Sequence, residues 1–94
     1  MHVLRIEHQV VDYDRWKGAF DADPIDRKGS GVRRYRVERS VEDPDLVLID
    51  LEFDSADDAA AMHEKLRVLW AGPAAALLRG PTARVLQHVE STEV

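Results

Sequence analysis

Apolar and polar residues alternate most sharply in residues 46–53, where Leu46, Val47, Leu48 and Ile49 run together before Asp50 and Glu52 separate Ile49, Leu51 and Phe53. This is the pattern of a central strand. Its odd-numbered row is continuously apolar and needs helices to cover it, while its even-numbered row turns from leucine to carboxylate and faces somewhere wetter. Residues 2–9 alternate Leu4, Ile6 and His8 against Val3, Arg5 and Glu7, which predicts a strand with one mainly apolar face.

Between these strands the period changes. Tyr13, Trp16, Ala19 and Phe20 fall at helical spacing behind Asp12, a residue suited to accept hydrogen bonds from the first turn, and Asp14 favours the positive helix end. Pro24 ends or restarts this helix, residues 25–28 can add one turn, and Gly29-Ser30-Gly31 lets the chain reverse. A second strand, residues 32–39, sets Tyr35 and Val37 on one face and Arg34, Arg36 and Glu38 on the other. Ser55 caps a second helix with Asp57 and Asp58 in its first turn and a buried stripe of Ala59, Met62, Leu66 and Leu69 or Trp70. After Gly72-Pro73, residues 74–78 read as another helical turn or two, stopped by Gly80-Pro81. Residues 82–90 then read as the last strand, with Val85 and Val89 on one side and Leu86 on the other, leaving its inward face open.

The loop at residues 42–45 joins the second and third strands as a hairpin. Matching their apolar rows sets Tyr35 opposite Leu51 and Val37 opposite Ile49, which places Arg36 opposite Asp50 and Arg34 opposite Glu52. A slip of one residue would put arginine against leucine throughout. The element order is strand, helix, strand, strand, helix, strand. With right-handed crossovers this gives an α+β, ferredoxin-like βαββαβ fold: a four-stranded antiparallel sheet, both helices on one face, and the first and third strands in the middle.

Ninety-four residues make one domain, 1–94, of a size that buries only about 60–65% of its surface on folding, so a partner subunit would add stability. A composition of 45% hydrophobic and 33% charged residues is that of a soluble globule. The net charge of −5 argues against nucleic-acid or acidic-membrane binding, which draws affinity from excess lysine and arginine. The absence of cysteine removes disulfides, thiolate nucleophiles and iron–sulfur clusters, and a cytoplasmic location fits. The N-terminal residues lack a signal-peptide layout, and no apolar run approaches the roughly 18 residues of a membrane span.

Three stretches together, residues 8–17 (HQVVDYDRWK), residues 31–37 (GVRRYRV) and residues 48–53 ending in Glu52-Phe53, resemble the dimeric alpha-beta barrel superfamily. Within it the resemblance is to small antibiotic-biosynthesis-monooxygenase-like and polyketide-cyclase-like proteins, and it spans nearly the whole chain. The resemblance implies a homodimer and an aromatic-lined pocket between helices and sheet, where the related oxygenases hold polycyclic substrates. Those cofactor-free oxygenases use an asparagine with a tryptophan, and this chain contains no asparagine, so their mechanism does not transfer residue by residue. The superfamily also holds members without an assigned activity, and a shared fold does not carry a function.

The candidate residues form three groups. Arg5, Glu7, Arg34, Arg36, Asp50 and Glu52 share one sheet face, either as a polar cavity with carboxylate bases and anion-holding arginines or as a cross-strand ion-pair lattice. His8 and His63 are candidate general bases, since imidazole titrates at about 6.5, and equally a packed strand histidine and a helix-surface one. Trp16, Tyr35 and Trp70, with Phe20 and Phe53, either line a ligand pocket or make core. His63 and Glu64 are adjacent and diverge by about 100° around a helix, and His2 and His88 lack a third ligand, so no metal site is expected. No cofactor is expected either, because there is no glycine-rich phosphate loop. Two functions follow from these groups: a dimeric protein binding a small aromatic or polyketide-like molecule without catalysis, or a cofactor-independent monooxygenase-like or cyclase-like enzyme.

Overall fold

Asp12 and Ser55 act as predicted: their side chains accept hydrogen bonds from the backbone N–H of Arg15 and Asp58, satisfying donors that a helix start otherwise leaves open. The computed structural model describes residues 1–94 and contains β1 (His2–Val10), α1 (Tyr13–Asp21), β2 (Val32–Arg39), β3 (Leu46–Phe53), α2 (Ala56–Ala71) and β4 (Leu78–Gln87). The strands lie in the order β2-β3-β1-β4, all neighbours antiparallel, giving a ferredoxin-like α+β fold with β1 and β3 central. No helix is long and apolar enough to cross a membrane.

The register is the one the apolar rows require. Tyr35 pairs with Leu51, Val37 with Ile49, Arg36 with Asp50 and Arg34 with Glu52. On the helix-covered face, Leu4, Ile6, Val47, Ile49, Leu51 and Phe53 are buried against Trp16 of α1 and Ala59, Met62 and Leu66 of α2. Burying each large aliphatic or aromatic side chain contributes about 1.5–3 kcal/mol, so this single layer supplies most of the driving force for folding. The two helices do not approach the sheet equally. α2, with alanine at its contact position, lies close to β1, β3 and β4, while α1 is held off by its own bulky Trp16 and Phe20.

The chain turns from α1 to β2 through Asp23 and Asp26, both in left-handed backbone conformation, and Gly31 at φ +95°. Gly31 cannot be replaced cheaply: beyond its φ, a Cβ there would sit 3.1 Å from an Asp58 carboxylate oxygen.

The last strand departs from the sequence-based expectation. Residues 74–77 form turns leading into β4 rather than added helix, and β4 starts at Leu78 and ends at Gln87 instead of running over 82–90. Gly80 and Pro81, expected to stop a helix, lie inside the strand. They form a bulge: one residue of β1, His8, faces two of β4 between the pairs Glu7–Thr82 and Gln9–Arg79. Proline is acceptable there because β4 is at the sheet margin, and Gly80 takes up the φ of +60° that the extra residue demands. The pairs Leu4–Val85 and Ile6–Ala83 settle the inward face: Ala83 and Val85 lie on the helix side, and Leu86, paired with Val3, on the open side.

Candidate functional site

Because α1 stands off the sheet, the space beneath it is incompletely filled. A cavity of about 180 Å³ remains between the helices and the sheet. Ile6, His8, Ile49 and Leu51 supply the sheet side, Trp16, Ala19 and Phe20 the α1 side, and Leu66, Leu69 and Trp70 the α2 side. Pro24, Ile25 and Arg27 line it from the α1–β2 turn, and Pro73, Ala74 and Leu77 from the turns that lead into β4. An engineered apolar void of about 150 Å³ accepts benzene, so this one has room for a single substituted ring.

His8 is placed by strand alternation, on the row of Leu4 and Ile6 and opposite the Gly80–Pro81 bulge, where it is 3% exposed. Its ring meets Trp16 edge-on at 5.4 Å between centroids. Nδ1 lies 3.2 Å from the Gln9 carbonyl, which can only accept, so Nδ1 carries the proton and Nε2 presents a lone pair. Nε2 has no protein partner, yet the one side-chain polar atom both sealed off and unpartnered is Nδ1 of His2. Nε2 of His8 is thus not sealed off, and His8 is the one residue lining the cavity whose side chain can accept a hydrogen bond.

Burial lowers the His8 pKa, with the Gln9 carbonyl bond opposing the shift. The imidazole is neutral in the folded chain at neutral pH. The unfolded chain binds its proton first, near its ordinary value of about 6.5, so the His8 contribution to stability is present above that pH and lost as pH falls below it. The urea midpoint should accordingly drop between pH 7.5 and 5.5, and His8→Phe should flatten that part of the profile. A slope unchanged in the variant would assign it to other groups.

Trp16 also contacts Tyr13 at 5.9 Å and Phe20 at 5.2 Å, and Phe20 contacts Tyr35 at 5.2 Å. The Arg27 guanidinium carbon lies 4.1 Å from the Phe20 centroid and 4.8 Å from that of Tyr35. Nη1 of Arg27 donates to the Phe20 carbonyl at 2.7 Å, and Nε lies 3.5 Å from the Asp23 carboxylate. Of the expected pocket aromatics, Trp16, Phe20 and Trp70 line the cavity. Tyr35, on an edge strand, backs Phe20 and Arg27 from outside and is 44% exposed, while Phe53 lies wholly in the core. His63 is on the far side of Trp70, 6.3 Å between ring centroids, in a shallow groove with Arg67 and Thr82. Arg27 was not singled out from the sequence because it sits in an aperiodic turn. The available signal was an arginine four residues after Asp23, close to an aromatic helix end.

The charged group lies on the other face of the sheet. Arg5 grips Asp50 through Nε and Nη2, both at 2.9 Å, with Arg36 3.9 Å away on the other side. Arg34 grips Glu52 at 3.1 and 3.0 Å. These bonds hold the pKa of Arg5 and Arg34 above the ordinary guanidinium value. The carboxylates are 6% and 8% exposed, whereas the arginines are mostly open. Arg34, Arg36, Asp50 and Glu52 thus form a lattice away from the cavity. No three histidine or acidic side chains gather as a metal site.

No family model matches the sequence, and no curated protein matches it. Solved structures do. PA3566 from Pseudomonas aeruginosa superposes with a TM-score of 0.68 at 16% identity over 95% of this chain and 94% of its own. A proposed antibiotic biosynthesis monooxygenase from Nitrosomonas europaea gives 0.63 at 19% over 96% and 100%, and Rv0793 from Mycobacterium tuberculosis gives 0.67 at 17% over 99% and 100%. The fold is that of the antibiotic biosynthesis monooxygenase-like proteins. An uncharacterised NIPSNAP domain protein from Burkholderia xenovorans shares it equally, with a TM-score of 0.68 at 12% identity, so the architecture is common to proteins of different description.

Proposed function

We propose that the protein binds a small aromatic molecule in the cavity beneath α1, its ring enclosed by Trp16, Phe20 and Trp70 and a hydroxyl or N–H group donating to Nε2 of His8. The observation that carries this reading is the unpartnered imidazole nitrogen of His8, the one side-chain acceptor on a wall that is apolar apart from it and Arg27. Apolar enclosure supplies affinity, and one convergent polar atom supplies orientation. We further propose a homodimer joined through the helix-free sheet face. Val3, Leu46, Leu48 and Leu86 lie there among the arginine–carboxylate pairs, a mixed surface suited to a second copy.

Catalysis is the second reading, favoured by the protonation state of His8. A neutral imidazole in apolar surroundings can take the proton of a bound hydroxyaromatic, and the resulting phenolate is the electron-rich form that reacts with dioxygen. The names of the structural neighbours support the same alternative.

One titration separates the possibilities. Phenol and hydroquinone should quench Trp16 and Trp70 fluorescence saturably, and His8→Phe should weaken both by about 1–2 kcal/mol through loss of the acceptor. Binding without protein-dependent oxygen uptake supports the ligand-binding role, and uptake abolished by His8→Phe supports the oxygenase. No saturable quenching with either compound removes both.

A further inference from the structure

The ligand site proposed above carries one formal charge, and it is positive. Acidic residues outnumber basic ones 18 to 13 in the chain, yet no aspartate or glutamate lines the cavity, and Arg27 does. Its side chain is only 11% exposed, far less than the 35% of Asp23, its sole ion-pair partner, whose charge water therefore screens more. Two of its five N–H groups are directed at protein, one on Nη1 toward the Phe20 carbonyl and Nε toward Asp23. Three remain. The rings of Phe20 and Tyr35 fix the plane of the guanidinium, so these donors are pre-oriented. Set against the single acceptor on His8, the site is rich in donors.

We infer that the ligand is an aromatic monocarboxylate, its carboxylate held by Arg27 and its ring under Trp16, with a ring hydroxyl donating to His8. The inference rests on the proposed ligand-binding role and narrows it to one chemical class. A carboxylate supplies the acceptors that the free guanidinium N–H groups lack, and the planar fork matches it in shape. An uncharged ring of the same size would offer those donors no charged acceptor and leave them to water.

The test is a calorimetric titration of the full chain with benzoate, 2-, 3- and 4-hydroxybenzoate and the uncharged benzyl alcohol at pH 7. Benzoate should bind at least 10-fold more tightly than benzyl alcohol, and one hydroxybenzoate isomer should exceed benzoate and lose that advantage in His8→Phe. Arg27→Gln should reduce the benzoate-to-benzyl-alcohol affinity ratio at least 10-fold, with Arg27→Lys intermediate. Equal binding of benzoate and benzyl alcohol to the unaltered chain overturns the inference while leaving an aromatic site intact, and this comparison stands even if the Arg27 variants fail to fold. Failure of all five compounds to bind overturns the site itself.

Discussion

Trp16→Ala should lower folding stability by about 3–5 kcal/mol, a large part of what a domain of this size possesses. Trp16 is 5% exposed and is the hub of the aromatic cluster, touching His8, Tyr13 and Phe20. Truncation removes its transfer free energy and also enlarges a cavity that already exists, so little collapse is available to recover contacts. Trp70→Ala should cost less, because Trp70 is only partly buried. Urea unfolding measures both. Millimolar indole should restore part of the Trp16→Ala loss by occupying the vacated volume, whereas a loss below about 1.5 kcal/mol would mean that α1 settles onto the sheet and that the space beneath it is not a built cavity.

Asp50→Lys should destabilise the protein by about 2–4 kcal/mol, since it replaces a covered carboxylate by a third cation between Arg5 and Arg36. Arg5 is the partner to reverse in a double-mutant cycle, because it contacts Asp50 at 2.9 Å through two nitrogens while Arg36 stands at 3.9 Å. Arg5→Asp combined with Asp50→Lys should recover part of the loss, with a coupling of about 0.5–3 kcal/mol. The magnitude also reports on the proposed dimer. An open lattice, with Arg5 half exposed, gives coupling below about 1 kcal/mol that fades with salt, whereas a face enclosed by a second copy gives a larger, salt-resistant value. Sedimentation at micromolar concentration should read about twice the chain mass for the unaltered protein and less for Asp50→Lys. A monomer in both would refute assembly through this face.

Strand parity was the most legible feature of the sequence. In residues 46–53 and 32–39 a slip of one residue sets arginine against leucine, so the parity of the pairing followed from polarity alone. His8 was legible for the same reason, as a polar residue on an apolar row. The last strand was misread because Gly80-Pro81 is ambiguous: the same pair ends a helix or makes a bulge, and only contact with β1 decides. The cavity was half legible. Trp16 and Trp70 sit at helical spacing, but Arg27 comes from a turn without period, and the stand-off of α1 is a property of packing that no local pattern records. Tyr35 has the correct face for the pocket, yet its strand lies at the edge, so it backs the wall instead of forming it.

The Gly80–Pro81 bulge has a consequence for solubility. A four-stranded sheet exposes two margins, each a row of backbone donors and acceptors onto which another molecule can add a strand, and so nucleate fibrous aggregates. In β4 the proline removes a donor and the bulge bends the row, while β2 carries Arg33, Arg34, Arg36 and Arg39, whose like charges repel an identical strand laid alongside. Both margins thereby resist the addition of a further strand, so the face-to-face dimer proposed above would have no sheet edge through which to grow into a fibre.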